Sequence, residues 1–123
     1  AGASDIYSGS IIAYSNSVKE KELGVPKESI QNHGAVSEEV VSQMLSGLKN
    51  KFGTDVGIAV SGIAGPGGGD ESKPVGTTWI GVRLDNQIQI KRFVFGTIRE
   101  VNIKKTAYTS FHLLYNMIRK QYS

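Results

Sequence analysis

The stretch SEEVVSQMLSGLKNKFGTDVGIAVS, residues 37–61, joins a helix pattern to a strand pattern and decides the fold class. Ser37 is a good N-cap, and the two glutamates after it suit the positive end of a helix. Apolar residues then recur at helical spacing until Gly53, a residue that favours helix termination. These apolar residues are Val40, Val41, Met44, Leu45, Leu48 and Phe52. The nearly all-apolar run at 55–61 predicts a strand buried on both faces.

Upstream of this stretch, the sequence predicts a strand and a short helix. Residues 8–15 (SGSIIAYS) contain isoleucines and a tyrosine, which have high β-propensity, so we expect a strand there. Asn16 can cap the helix that follows, and Gly24 and Pro26 end it. Residues 26–31 are expected to form one further helical turn.

Downstream, the sequence predicts two more strands and a long helix. Residues 76–84 and 87–95 have strand patterns separated by an Asp-Asn dipeptide, which predicts an antiparallel hairpin with a tight turn. Residues 97–121 carry apolar side chains at spacings that can share one helical side. These apolar residues are Ile98, Val101, Ala107, Leu113, Leu114, Met117 and Ile118. The order of elements predicts one α/β domain with a mixed β-sheet flanked by helices.

Length and composition restrict the function classes. A chain of 123 residues with 39% hydrophobic content suits one compact domain. The absence of cysteine excludes disulfides, thiolate zinc sites and cysteine nucleophiles. The formal charge of +3 suits small anionic ligands such as phosphates and gives weak support for nucleic acid. The apolar runs are far shorter than the roughly 18 residues of a membrane span, so we expect a soluble, cytoplasmic protein with no membrane partner.

The turn between the first strand pattern and the first helix pattern contains a candidate general base. Lys19 falls in the first helical turn, where the positive end of the helix disfavours the charged amine. Desolvation there would lower the pKa of the amine further, and a partly neutral lysine can accept a proton. An ordinary solvated lysine is the alternative, because Glu20 and Glu22 flank it.

A glycine-rich stretch at residues 62–76 follows the central strand pattern. Five glycines in the nine residues 61–69 allow close backbone approach, so that several N–H groups could converge on an oxyanion or a phosphate. The stretch has neither the GxGxxG nor the GxxxxGK[ST] pattern, which excludes a dinucleotide fingerprint and a P-loop. A flexible connector is the alternative.

The remaining chemical candidates are few. Arg99 lies near the start of the last predicted helix, where a cation is unfavourable, and this position indicates an anion or a distant carboxylate as its partner. Pairing with Glu100 is the alternative. His33 and His112 are too far apart to indicate a metal pair, and the sequence has no GxSxG nucleophile elbow.

Five blocks, in order, resemble the C-terminal domain of the competence-damage-inducible protein CinA and its stand-alone relative PncC. The blocks are AYSNSVK at 13–19, LGVP at 23–26, HGAVSEEV at 33–40, SGIAGPGG at 61–68 and KPVGT at 73–77. The resemblance implies an α/β domain that hydrolyses the carboxamide of nicotinamide mononucleotide to nicotinic acid mononucleotide and ammonia. It implies no metal and no cofactor, and we expect a homo-oligomer.

The resemblance also assigns residues to the site. A Ser-Lys hydrolase would use Lys19 as base, with Ser61 as the second catalytic residue of this chain. The family's arginine falls on Arg99, although Ile98 stands where its acidic neighbour usually is. The expected substrate-binding residues are Tyr14, Ser15, Gly62, Ile63, Ala64, Gly65, Gly67, Gly68 and Arg99.

One family motif has no counterpart in this sequence. The presumed nucleophile of the family is the serine of an S-x-T-G-G turn, and no such turn occurs in these 123 residues. We therefore expect residues 1–123 to be a single, N-terminally truncated domain whose activity needs the additional segment. A catalytically inactive module that binds a mononucleotide or another protein is the alternative. Nucleic-acid binding through the basic C-terminal helix is the weakest hypothesis.

Overall fold

The computed structural model describes all 123 residues, as four helices, three strands and a short 3-10 turn at Ala3–Asp5. The helices are α1 (Asn16–Leu23), α2 (Lys27–His33), α3 (Glu38–Phe52) and α4 (Arg99–Tyr122). The strands are β1 (Val56–Gly62), β2 (Thr77–Leu84) and β3 (Gln87–Val94). The expected single α/β domain is confirmed, with helices on both faces of one sheet.

The sheet has the order β1-β2-β3 and is antiparallel throughout. Ala59 of β1 lies opposite Gly81 of β2, which in turn lies opposite Ile90 of β3. The predicted hairpin between β2 and β3 is confirmed, and Asp85 in its turn has a positive φ of 54°. Such a left-handed conformation is what a tight hairpin turn requires.

The strand predicted at residues 8–15 is absent, and the sheet is therefore antiparallel rather than mixed. Residues 8–15 form no strand, because no other strand lies beside them to exchange backbone hydrogen bonds with them. Its apolar side chains still alternate. Ile11 and Ala13 pack against the core, whereas Ile12 and Tyr14 are 86% and 87% exposed.

One face of the sheet is covered by α3, and α1 and α2 pack against α3. The cap predicted for α3 is confirmed, since Ser37 Oγ accepts a hydrogen bond from the Val40 N–H at 3.3 Å. Close approach of α3 to the sheet depends on Gly81, because a Cβ there would lie 2.7 Å from Val41 and 2.8 Å from Leu45. The core on this face consists of Leu23, Val25, Val40, Val41, Met44, Leu45 and Ala59.

The opposite face is covered by α4 alone. Its core consists of Ile80, Val82 and Leu113, with Phe93 and Phe95 stacked beside it. The apolar residues of α4 do not share one side, contrary to the prediction. Leu113, Leu114 and Met117 pack against the sheet, whereas Ile98 and Val101 are exposed. No helix of the chain combines the length and apolarity needed to cross a membrane.

Candidate functional site

Lys19 is buried in the first turn of α1. Ser15 caps this helix by accepting a hydrogen bond from the Val18 N–H at 3.3 Å. The Lys19 side chain folds back under the cap, where its Nζ donates to the carbonyl oxygen of Ala13 at 2.9 Å. Only 6% of Lys19 is exposed. The solvated alternative for this lysine is therefore wrong.

The surroundings of the Lys19 amine favour its neutral form. Burial lowers its pKa below the ordinary value of 10.5. Neither of the two ion pairs of the chain, Lys51 with Glu22 and His33 with Glu39, includes Lys19. A buried amine that has a carbonyl partner but no carboxylate can lose its proton more readily than a paired one.

Tyr14 and Ser15, which precede α1, differ in their environment. The Tyr14 side chain is 87% exposed and free to contact a ligand. The Ser15 hydroxyl is engaged in the cap and lies 3.0 Å from the Ser17 hydroxyl. Ser15 therefore fixes the start of the helix that carries Lys19.

Ser61 ties β1 to the loop after α2. It lies on the α3 face of the sheet, in alternation with Ala59, and donates from Oγ to the Ala35 carbonyl oxygen at 2.7 Å. Lys73 makes a second link close by, donating from Nζ to the carbonyl oxygen of His33 at the end of α2 at 2.7 Å. The HGAVSEEV block is thus joined by hydrogen bonds to two other blocks, SGIAGPGG and KPVGT.

Hydrogen bonds within the chain brace the glycine-rich stretch, which favours a folded loop over the flexible-connector alternative. The Ile63 N–H donates to the Thr77 carbonyl oxygen at 2.9 Å, and the Gly76 N–H donates to the Ile63 carbonyl oxygen at 2.7 Å. At the tip, Asp70 Oδ1 accepts from the Lys73 N–H at 2.7 Å and from the Ser72 hydroxyl at 2.9 Å. These bonds, the Lys73 one first, hold the pKa of Asp70 below its usual range.

Two side chains of α4 hold the carbonyl groups of this loop. Asn102, 2% exposed, donates from Nδ2 to the carbonyl oxygens of Ala64 at 3.0 Å and Gly96 at 2.9 Å. Arg99 donates to the Gly65 carbonyl oxygen at 3.0 Å, so its partner is a main-chain dipole rather than Glu100. Sequence reasoning missed Asn102, whose only signal is a polar residue on the sheet-facing side of a helix.

The N–H groups of the same loop are left free. No hydrogen bond within the chain engages the backbone N–H of Ala64, Gly65, Gly67 or Gly68. Backbone N–H groups in a glycine-rich turn can converge on an anion. Beside the loop lies a small cavity of about 200 Å³, lined by Val60, Gly62, Ala64, Thr78, Asn102, Ile103 and Thr106.

Other residues of the expected site are not bonded to one another. Lys19 and Ser61 donate to different carbonyl groups and share no hydrogen bond. Both belong to the α3 side of the molecule, whereas Arg99 reaches the glycine-rich loop from α4. His112 is bonded to Asn116 and His33 lies beside Glu39, so the two histidines do not meet.

The ordered blocks match a known family along almost the whole chain. Residues 1–118 match the model of the CinA C-terminal domain. The chain belongs to the CinA C-terminal domain family. A CinA-like protein of Cytophaga hutchinsonii is 45% identical over 121 residues, which are 98% of this chain and 28% of that protein. This CinA domain thus spans less than a third of the length of that curated relative.

Solved structures agree with this assignment. The competence damage-inducible protein A of Klebsiella pneumoniae is 36% identical with a TM-score of 0.77, over 86% of this chain and 66% of that one. A CinA superfamily protein of Enterobacter cloacae is 31% identical with a TM-score of 0.79, over 84% of this chain and 61% of that one. The CinA fold is therefore shared by chains that extend beyond the region matched here.

Proposed function

We propose that this CinA domain supplies the general base and the oxyanion-binding loop of an amidohydrolase. The substrate is nicotinamide mononucleotide, and the products are nicotinic acid mononucleotide and ammonia. The observation that carries the proposal is the buried amine of Lys19, whose pKa is lowered by burial and which has no carboxylate partner. Such an amine is suited to take a proton from a hydroxyl group.

The proposed reaction has two stages. The neutral Lys19 amine removes the proton of a serine hydroxyl, and the serine oxygen attacks the carboxamide carbon, whose C=O electron pair moves to oxygen. The resulting ammonium of Lys19 returns the proton to the amide nitrogen, which leaves as ammonia when the C–N bond breaks. Lys19 then takes a proton from a water molecule, whose oxygen attacks the acyl-serine. The C–O bond to the serine breaks, the Lys19 ammonium returns the proton to the serine oxygen, and the carboxylic acid product ionises to the carboxylate.

The glycine-rich loop is proposed to stabilise the oxyanion. The free N–H groups of Ala64, Gly65, Gly67 and Gly68 are donors that need no reorganisation, because α4 already holds the loop by its carbonyl groups. Ser61 contributes as a positioning residue, since its hydroxyl is bonded to the Ala35 carbonyl oxygen. The nucleophile is the serine of the family's S-x-T-G-G turn, a motif outside this sequence.

Ligand recognition and assembly belong to the same proposal. The exposed side chains of Tyr14 and Arg99 can contact the nucleotide, and the formal charge of +3 favours its phosphate. A homo-oligomer is proposed because β1 and β3 each leave one edge of the sheet unpaired, and a second copy can cover such an edge. A cytoplasmic location and the absence of a nucleic-acid partner remain predictions.

Ammonia release from nicotinamide mononucleotide tests this proposal. The assay uses the 123-residue chain and a polypeptide in which a segment with the S-x-T-G-G turn precedes Ala1. We expect turnover in the longer polypeptide, and we expect Lys19→Met to lower kcat by at least about a hundredfold, as loss of a general base does. The matched control is Lys21→Met, an exposed lysine of the same helix, which should retain activity.

Two results would contradict the enzyme proposal. Undiminished turnover in Lys19→Met would remove the lysine from the mechanism. Saturable binding of the nucleotide without ammonia release in the longer polypeptide would instead identify a binding module.

A further inference from the structure

Three successive carbonyl groups of the glycine-rich loop, those of residues 63–65, are each held by a donor from another part of the chain. The first accepts a hydrogen bond from the Gly76 N–H at 2.7 Å. The second and third accept from side chains of α4, namely Asn102 Nδ2 and Arg99 Nη1, both at 3.0 Å. The orientation of each of these peptide groups is therefore set through its oxygen atom.

The bond from Asn102 also fixes the direction of the Gly65 N–H. In a planar trans peptide the C=O and N–H groups point in opposite directions, and the peptide between Ala64 and Gly65 is trans. Because Asn102 holds the Ala64 carbonyl group toward α4, the Gly65 N–H points away from α4. The next peptide presents no N–H at all, since its nitrogen belongs to Pro66.

The backbone at Gly65 does not select this direction by itself. The φ angle of Gly65 is +92°, and glycine adopts positive and negative φ about equally readily, so the peptide before it can turn over at low cost. A larger residue does not fit here, because a Cβ would lie 2.6 Å from Cγ1 of Val75. The direction of the Gly65 N–H therefore depends on the side chain of Asn102.

The amide of Asn102 is placed for what its nitrogen donates to. Nδ2 donates to two carbonyl oxygens, that of Ala64 and that of Gly96, whereas a turned amide would set Oδ1 against both. Asn102 is 2% exposed, and its Oδ1 is buried without a hydrogen-bond partner. A buried polar atom without a partner is rare and costs stability. This cost indicates that Asn102 does more than pack α4 against the sheet.

We propose that Asn102 positions the Gly65 N–H as a donor to the oxyanion. The inference rests on the proposed amidohydrolase function and adds the residue on which the direction of this donor depends. When the serine oxygen attacks the carboxamide carbon, the C=O electron pair moves to the carboxamide oxygen. An N–H group that already has its direction stabilises this charge without reorganisation. Asn102 is a positioning residue, because it acts through the peptide between Ala64 and Gly65.

A purely structural role is the alternative. Asn102 joins the glycine-rich loop to Gly96, so its loss lowers stability whichever role it has. A structural role predicts that a folded variant keeps its kcat. The positioning role predicts a loss of kcat with little change in KM, because the oxyanion exists only after the attack on the bound substrate.

The first test is ammonia release by the longer polypeptide, in which a segment with the S-x-T-G-G turn precedes Ala1. Asn102→Leu keeps nearly the same shape but cannot donate a hydrogen bond. We expect it to lower kcat by about a hundredfold, as removal of one oxyanion donor does, and to change KM by less than about threefold. The matched control is Ser110→Ala, which removes a buried hydroxyl of α4 that is bonded to the Thr106 carbonyl oxygen, and it should retain kcat.

The second test follows the direction of the peptide in the 123-residue chain and needs no turnover. Nuclear Overhauser effects connect the amide proton of Gly65 to the α-proton and to the amide proton of Ala64. Turning this peptide over makes the shorter of the two distances the longer. We expect the stronger of the two effects to become the weaker in Asn102→Leu and to stay the stronger in Ser110→Ala.

Circular dichroism establishes that each variant is folded. If Asn102→Leu does not fold, Asn102→Asp replaces it in both tests. This variant keeps the shape of the side chain but sets an oxygen against the Ala64 carbonyl group, so the same changes are expected.

Three results would overturn the positioning role. They are an unchanged kcat in the folded Asn102 variant, a raised KM with an unchanged kcat, and an unchanged order of the two Overhauser effects. Any of them, obtained while Lys19→Met loses turnover, would leave the proposed function standing. If the unaltered longer polypeptide releases no ammonia, the proposed function fails, and the oxyanion role of Asn102 fails with it.

Discussion

The two faces of the sheet are covered to different extents by their helices. On one face, α3 packs on the strands and α1 and α2 pack on α3, and Val40, Val41 and Leu45 of the core there are fully inaccessible. On the other, α4 alone covers the strands and remains apolar on its outer side as well. The helices on the first face include α1, which carries the buried Lys19. On the second face, α4 anchors the glycine-rich loop and keeps an exposed apolar side. Apolar residues along a helix therefore do not by themselves identify the side that faces the core.

The largest difference is expected between Leu45 and Phe111. Leu45→Ala leaves a cavity in the covered face and should lower the free energy of unfolding by about 2–5 kcal/mol. Phe111→Ala removes a larger side chain from an exposed position and should change it by less than about 0.5 kcal/mol. Urea denaturation measures both, and a comparable loss in Phe111→Ala would mean that the exposed side of α4 around Phe111 is buried in solution.

An intermediate effect is expected where α4 holds the glycine-rich loop. Asn102→Ala leaves the part-buried carbonyl groups of Ala64 and Gly96 without their donor and should cost about 2 kcal/mol of unfolding free energy. Arg99→Gln, at an exposed hydrogen bond to the same loop, should cost less than about 0.5 kcal/mol. If the two variants unfold at the same urea concentration, the loop is not held by Asn102.

The smallest effect is a change in how stability depends on pH. Folding lowers the pKa of Lys19 from the ordinary 10.5, so the unfolded chain binds its proton more tightly than the folded chain. The free energy of unfolding should therefore rise as pH increases from the lowered pKa toward 10.5. Below that range Lys19 is charged in the folded chain, and the folded chain bears the full penalty for burying that charge.

Lys19→Met should lose this alkaline rise, whereas Lys21→Met, at an exposed position, should keep it. The slopes of unfolding free energy against pH, from urea curves between neutral and alkaline pH, provide the measurement. Equal slopes in the two variants would show that burial of Lys19 does not perturb its titration.

Local sequence signals were sufficient for most of the fold. The Ser37 cap, the apolar spacing after it and Gly53 define α3 without reference to any other element. The β2–β3 hairpin follows likewise from its own turn. The strand expected at residues 8–15 failed, because pairing depends on a neighbouring strand that local sequence does not specify.

The candidate site was only partly predictable. The position of Lys19 in a first helical turn could be read from the sequence, but its burial depends on how the chain folds back over Ala13. Asn102 and Lys73 bind carbonyl groups that lie 38 and 40 residues away. Every residue offers such a carbonyl, so the acceptor leaves no side-chain pattern that sequence reasoning could detect.

The absence of a side chain at Gly47 has a mechanical consequence for the site. A Cβ at this position would overlap the carbonyl oxygen of Leu23, so the end of α1 rests directly on the backbone of α3. No flexible side chain lies between the two helices at this point to absorb a shift. Lys19 lies one helical turn before Leu23, so this contact ties the position of Lys19 to that of α3. The alignment of the amine is set by a helix that contributes no chemical group to the site.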